Sequence, residues 1–145
     1  MKRLQKYFAL PPAGRTIFLH SLVLLPAVTL LVWARGFART AALIRRLGRD
    51  GPGNRGGLDP REVARLVDAA ASLTRARCLP RSLVLWHLLR HRGASAEVRM
   101  GVCKLADDSL SAHAWLELDG LPLNDGADVC ERYAVLPSLR VQGPS

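Results

Sequence analysis

The sequence predicts an α+β fold, with helices packed on a small antiparallel sheet and an apolar helical segment at the N-terminus. Three observations carry this. Apolar spacing is helical from Leu58 to about His91, and it switches to a period of two from Ala96. A Gly-rich stretch separates both from an apolar run at Ile17–Ala34. The expected organisation is an N-terminal helical segment over residues 1–50, a linker over 51–57 and one domain over 58–145. At 145 residues and 49% hydrophobic, the chain has room for one domain with a core.

Residues 1–14 carry Lys2, Arg3 and Lys6, then Pro11-Pro12-Ala13-Gly14, which is expected to break any helix. Ile17–Ala34 follows, mostly Leu, Val and Ala, with Pro26 at its centre. Eighteen such residues sit at the lower edge of a bilayer span of about 20. The flanking charge mimics a signal peptide, but no A-x-A site follows Ala34. Basic residues lie on both sides, so charge sets no orientation. Three readings stay open: packing on the domain or a partner, membrane contact through residues 17–34, or a span. The packed reading is preferred.

After the linker, Asp59-Pro60-Arg61-Glu62 starts a helix by several rules at once. Asp59 is an N-cap, Pro60 fits the first helical position, Glu62 completes a capping box, and Leu58 with Val63 forms a hydrophobic staple. Val63, Leu66, Val67, Ala70 and Leu73 give its apolar face, and it is expected to end near Arg77. A second helix starts at once, with Cys78 at its N-terminus and Pro80 in its first turn. Its run from Val84 to Leu89 is apolar nearly all round, the mark of a buried helix, and Gly93 is the expected left-handed cap.

Strands follow. Ala96, Val98, Met100 and Val102 alternate with Glu97, Arg99, Gly101 and Cys103. Ala112–Glu117 forms a second strand, with His113, Trp115 and Glu117 on one face, and Leu121–Asp125 a short third. Residues from Asp128 onward are weakly patterned and are expected to form a loose tail.

Three cysteines, none in CxxC spacing, argue against a disulfide framework and a zinc site, and point to a reducing, cytoplasmic compartment. No cofactor or metal is expected. The formal charge of +9 admits nucleic acid, anionic lipid or an acidic peptide. Nucleic acid is discounted, because no strand interleaves aromatic and basic residues in the RNA-binding manner.

Cys78 at a helix start stands where the helix dipole and unpaired N–H groups favour a thiolate. A buried structural cysteine is the plain alternative. What weighs against it is His113 on a strand and a carboxylate on the next, an order shared with papain-like and transglutaminase-like enzymes. The thiol is then the nucleophile, the imidazole takes its proton and later protonates the leaving amine, and the carboxylate orients the ring. Asp125 is the expected carboxylate, on a register argument. A three-residue loop, Leu118-Asp119-Gly120, would set His113 opposite Asp125, whereas a two-residue loop pairs Leu118 with Leu121 and turns Asp125 to the other face. The three-residue loop is therefore expected.

Trp115, Arg81 and Ser82 are the candidate substrate contacts, with packing the alternative for Trp115 and a surface charge the alternative for Arg81. Glu117 reads as a solvated rim residue. Asp119 and Asp128 are the other carboxylates considered. His20, His87 and His91 read as packing, solvated or capping residues, and Cys103 and Cys130 have no histidine partner.

The pieces Cys78-Leu79-Pro80-Arg81-Ser82-Leu83, Glu97-Val98-Arg99-Met100-Gly101-Val102, His113-Ala114-Trp115-Leu116-Glu117-Leu118-Asp119-Gly120 and Leu123-Asn124-Asp125 together resemble the transglutaminase-like B proteins of lasso peptide biosynthesis. The resemblance covers residues 58–136. It implies a leader peptidase acting on a ribosomally made precursor peptide, with Cys78, His113 and Asp125 in the roles above. It also implies the stand-alone protease half of a split system, which needs a separate leader-recognition protein and works beside a macrolactam cyclase. A non-catalytic peptide-binding module and a membrane-associated accessory protein are the alternatives.

Overall fold

The computed structural model describes residues 11–48 and 57–137. Within them the order is α1 (Pro12–Leu47), α2 (Pro60–Thr74), α3 (Cys78–Arg90), β1 (Ala96–Lys104), β2 (Leu110–Leu118), β3 (Leu121–Pro122), α4 (Val129–Arg132) and β4 (Ala134–Val135). The fold is α+β, as the change of period predicts. Most of the Gly-rich linker lies outside the described residues.

The prolines at 11 and 12 begin a helix instead of preventing one. Pro12 takes the first helical position, where no backbone N–H is needed, and Arg15 N–H closes on Pro11 O at 3.1 Å. The helix runs through Pro26 and is interrupted at Gly36, whose φ of 77° lies in the left-handed region. Ile17, Phe18, Leu25 and Val28 join the buried core, packed with α2 and α3.

α2 starts as its capping pattern predicts, with Asp59 N–H donating to the Glu62 carboxylate at 3.3 Å. It ends at Thr74, earlier than Arg77, because Arg75 turns left-handed (φ 54°) and Ala76 N–H closes on Ala71 O at 3.0 Å. α3 is the central element. Leu83, Val84, Leu85, Trp86 and Leu89 are buried, and α3 touches α1, α2 and the sheet. Trp86 is satisfied there, its indole N–H donating to Ala96 O at 3.1 Å. Gly93 (φ 77°) reverses the chain into β1.

The sheet is antiparallel in the order β3-β2-β1-β4. β1 and β2 pair from Ala96↔Leu118 to Lys104↔Leu110, which sets Gly101 opposite His113. Ala96, Val98 and Leu116 enter the core against α3. Of the stretch expected to be a loose tail, the part up to residue 137 forms α4 and β4, and residues 138–145 lie outside the described residues. β4 adds to the sheet through Gly101↔Val135, and Leu136 N–H donates to Met100 O at 2.8 Å.

The β2–β3 loop corrects the register expectation. Asp119 (φ 52°) and Gly120 (φ 77°) are both left-handed, the two-residue arrangement that Asp-Gly favours, and Leu118 pairs with Leu121. The three-residue bulged loop does not form, so the register does not set His113 opposite Asp125. The paired strand also stops at Pro122, short of Asp125.

Candidate active site

Two bonds join the start of α3 to β2 and to the bend that follows β3. Ser82 Oγ donates to Ala114 O at 3.2 Å, and Arg81 donates to Asn124 O at 3.2 Å. Ser82 is therefore moored beside His113, and Arg81 beside Asp125. Cys78 opens the same helix four residues before Ser82, a separation that puts two side chains on one helix face about 5–6 Å apart at Cβ. Cys78 is partly exposed, as a nucleophile must be to meet a substrate. The N–H groups of Cys78 and Leu79 are in the first helical turn, so they have no carbonyl four residues back within the helix.

His113 and Asp125 do meet, by a route the register did not suggest. After Pro122 one ladder bond remains, from Leu123 N–H to Leu116 O at 2.8 Å. The next position is filled by a side chain. Asn124 Oδ1 accepts Leu116 N–H at 2.7 Å, and Asn124 Nδ2 donates to Ser82 Oγ at 3.1 Å. The backbone bends away from the ladder over Leu123–Asp125, and this bend presents the Asp125 carboxylate to His113 Nε2 in a direct hydrogen bond.

The carboxylate has further partners. Gly126 N–H donates to Asp125 Oδ1 at 2.8 Å, and Arg132 on α4 donates to the same oxygen at 3.0 Å. Burial alone would raise this carboxyl. The His113 and Gly126 hydrogen bonds and the charges of His113 and Arg132 outweigh burial and hold it below its ordinary value. Asp125 is thus a carboxylate that only accepts, so the proton of the shared bond sits on His113 Nε2, and Nδ1 is the ring nitrogen left for another partner. Nδ1 has no partner among the described residues, and Cys78 and His113 are not hydrogen-bonded to each other.

The ring of His113 is held on its faces. Tyr133 lies 5.0 Å away between centroids, and Trp115 stacks at 6.2 Å. Gly101 makes room for this: a Cβ there would lie 2.9 Å from Tyr133 Cβ and 3.0 Å from Trp115 Cη2. Behind the site, Arg81 also pairs with Asp68 of α2 at 3.5 Å. Burial raises the Asp68 carboxyl, Arg81 opposes that, and the negative charge of Asp125 adds to it.

The expected substrate contacts occupy other places. Trp115 is fully buried, its indole N–H donating to Glu117 Oε1 at 2.9 Å. Ser82 is fully buried between Ala114 and Asn124. Neither side chain faces solvent, so neither is placed to touch a peptide. Arg81 is spent on Asp68 and Asn124, where it holds the bend. Glu117, expected at a solvated rim, is 7% exposed and accepts from Arg99 at 2.9 Å. The cause is α4 and β4, which cover the face that the expected three strands leave open. Cys130 on α4 reaches Glu117 at 3.6 Å; burial, then the charge of Glu117, pushes its thiol up.

Asn124, Arg132, Tyr133, Gly101 and Asp68 were not among the expected site residues. Asn124 had a faint signal as the neighbour of Asp125 with a side chain able to mimic a backbone amide. Gly101, Tyr133 and Asp68 act through contacts distant in sequence, and Arg132 reaches Asp125 from a helix too short to show a period. Among the described residues, no group of three or more His, Cys, Asp or Glu side chains is placed to hold a metal ion.

A family model described as the transglutaminase-like superfamily matches residues 21–138, most of the chain. No curated protein and no solved structure matches.

Proposed function

The chain belongs to the transglutaminase-like superfamily, and from that premise we propose that it is a cysteine peptidase working through a Cys78–His113–Asp125 constellation. The observation that carries this is the Asp125–His113 hydrogen bond beside the first turn of the Cys78 helix. His113 Nδ1 takes the proton from Cys78 Sγ as the sulfur attacks the scissile carbonyl carbon. Asp125 accepts from Nε2–H throughout, which fixes the tautomer and stabilises the imidazolium. The N–H groups of Cys78 and Leu79, without a helical carbonyl partner, are the donors that would receive the oxyanion. The imidazolium returns its proton to the leaving amine as the C–N bond breaks, leaving a thioester on Cys78. Water, deprotonated by Nδ1, then releases the acid and restores the thiol.

Members of this superfamily share acyl-transfer chemistry between peptidases and transferases, and the motif set of residues 78–125 favours a peptidase with a specific task. The substrate we propose is the leader segment of a ribosomally made precursor during lasso peptide maturation. A separate recognition protein delivers it, and the macrolactam cyclase consumes the freed core peptide.

The test is cleavage of the cognate precursor in the presence of the recognition protein, comparing wild type with Cys78→Ala. Loss of cleavage with the alanine variant is expected. Undiminished cleavage ends the proposal, and binding of the precursor without cleavage by the wild type favours a peptide-presenting module instead.

A further inference from the structure

One surface stands outside the chemistry above. α1 is long and apolar enough to cross a membrane, yet only 28% of its 18-residue apolar window, of mean hydropathy 2.2, is buried. The buried part is one face: Ile17, Ser21, Leu25 and Val28 pack into the domain. Leu19, Val23, Leu30 and Trp33 line the opposite side, between 58% and 83% exposed, at spacings that keep them on one stripe. No charged residue occurs between Arg15 and Arg35, so the stripe is uninterrupted and ends in an exposed arginine at each side. An exposed apolar strip of this length calls for a covering surface.

Charge says which kind. Residues 1–49 contain nine Lys and Arg and no Asp or Glu, while the remainder of the chain contains twelve of each. The whole excess of +9 therefore belongs to the segment that carries the stripe, and the domain bearing Cys78 is formally neutral. We propose that the outer face of α1 docks the protein on an anionic lipid surface, lying in the interface with Trp33 and the flanking arginines at headgroup level. The helix does not cross: Ser21 and Leu25 are fully buried against the domain, and insertion would strip that face from its core. A protein groove would also accept Leu and Trp. It would not call for a segment of nine cations free of carboxylates, which is the charge pattern an anionic leaflet attracts.

The full chain reports on this directly, because Trp86 and Trp115 are fully buried and Trp33 is 83% exposed. Vesicles of phosphatidylcholine, with and without phosphatidylglycerol, are titrated into the protein while tryptophan emission and co-sedimentation are followed. The expected result is a blue shift and sedimentation with the phosphatidylglycerol vesicles, both weakened at high salt. Leu30→Glu, at an exposed position and with unchanged circular dichroism, is expected to reduce partitioning roughly tenfold or more. Absence of binding to phosphatidylglycerol vesicles overturns the proposal, as does equal binding to both vesicle types. A salt-resistant dimer that Leu30→Glu makes monomeric, with no vesicle binding, assigns the stripe to a second copy and also overturns it.

Discussion

Asn124 stands in for a strand: its side-chain oxygen accepts the Leu116 backbone N–H at 2.7 Å, at the point where the β3 backbone leaves the sheet. The bend that follows is what brings Asp125 to His113. Asn124→Ala orphans the buried Leu116 N–H and removes the Ser82 Oγ partner, which is expected to cost about 1–3 kcal/mol of stability. It should also lower cleavage more than stability alone explains, because Asp125 loses its support. Chemical denaturation and cleavage rates measured on the same variant separate the two. Unchanged activity would show that Asp125 is held by Arg132 and Gly126 alone.

Gly101 is the close-approach position of the site. Its Cβ in an alanine variant would meet Tyr133 Cβ at 2.9 Å, Trp115 Cη2 at 3.0 Å and Ala134 O at 3.1 Å, two of which belong to rigid groups. Gly101→Ala should therefore cost about 1–3 kcal/mol as an overpacked position and loosen β4 from β1. Thermal unfolding measures the first effect, and amide exchange at Leu136, bonded to Met100 O, measures the second.

Glu117 is a buried acceptor for Arg99 and Trp115. Removing it in Glu117→Ala leaves the indole N–H unpaired and Arg99 with Glu97 alone, at 3.3 Å. The expected loss is about 3 kcal/mol, the low end for breaking a buried pair, since Arg99 keeps one partner. A loss under about 0.5 kcal/mol, the range of ordinary surface substitutions, would place Glu117 at the rim after all.

Much of this was legible in the residues, and what was not has a common physical cause. The capping pattern at Asp59–Glu62, the buried Cys78 helix and the change of period at Ala96 are local signals, and each appears as expected. The register differs from the expected one because Asp-Gly serves both a two-residue loop and a bulged one, and here Asp119 and Gly120 are both left-handed, as the two-residue loop requires. His113 and Asp125 nevertheless meet, since a side chain can end a ladder early and no strand pattern records that. Trp115 reads equally as a groove residue or a packed one and Glu117 as a solvated one, because the cover of both is a four-residue helix and a two-residue strand, too short for any periodicity to announce.

Acid should act on the site through Asp125. Its carboxyl lies below its ordinary value in the folded protein, so the unfolded chain takes up the proton first as pH falls. The stability it contributes is complete above the ordinary carboxylate pKa near 3.8 and is lost as pH drops below that through the folded value. Asp125→Asn removes this contribution, so the variant should lose less stability than wild type across that acid window. Asp68 works in the opposite sense; burial is the largest cause of its shift and Asp125 the smallest, so most of that shift persists in the variant. Parallel stability–pH curves for the two proteins would contradict the assignment.

The most direct measurement is the location of the acyl group. Wild-type protein mixed with precursor and recognition protein, quenched in acid during turnover and digested, should carry the peptide acyl group as a thioester on Cys78, and the adduct should be missing from Cys78→Ala. The chain has two other thiols, Cys103 and Cys130, so the position is diagnostic. An acyl group on either of those, or turnover that proceeds with no covalent intermediate in the wild type and persists in Cys78→Ala, would contradict the role given to Cys78, His113 and Asp125.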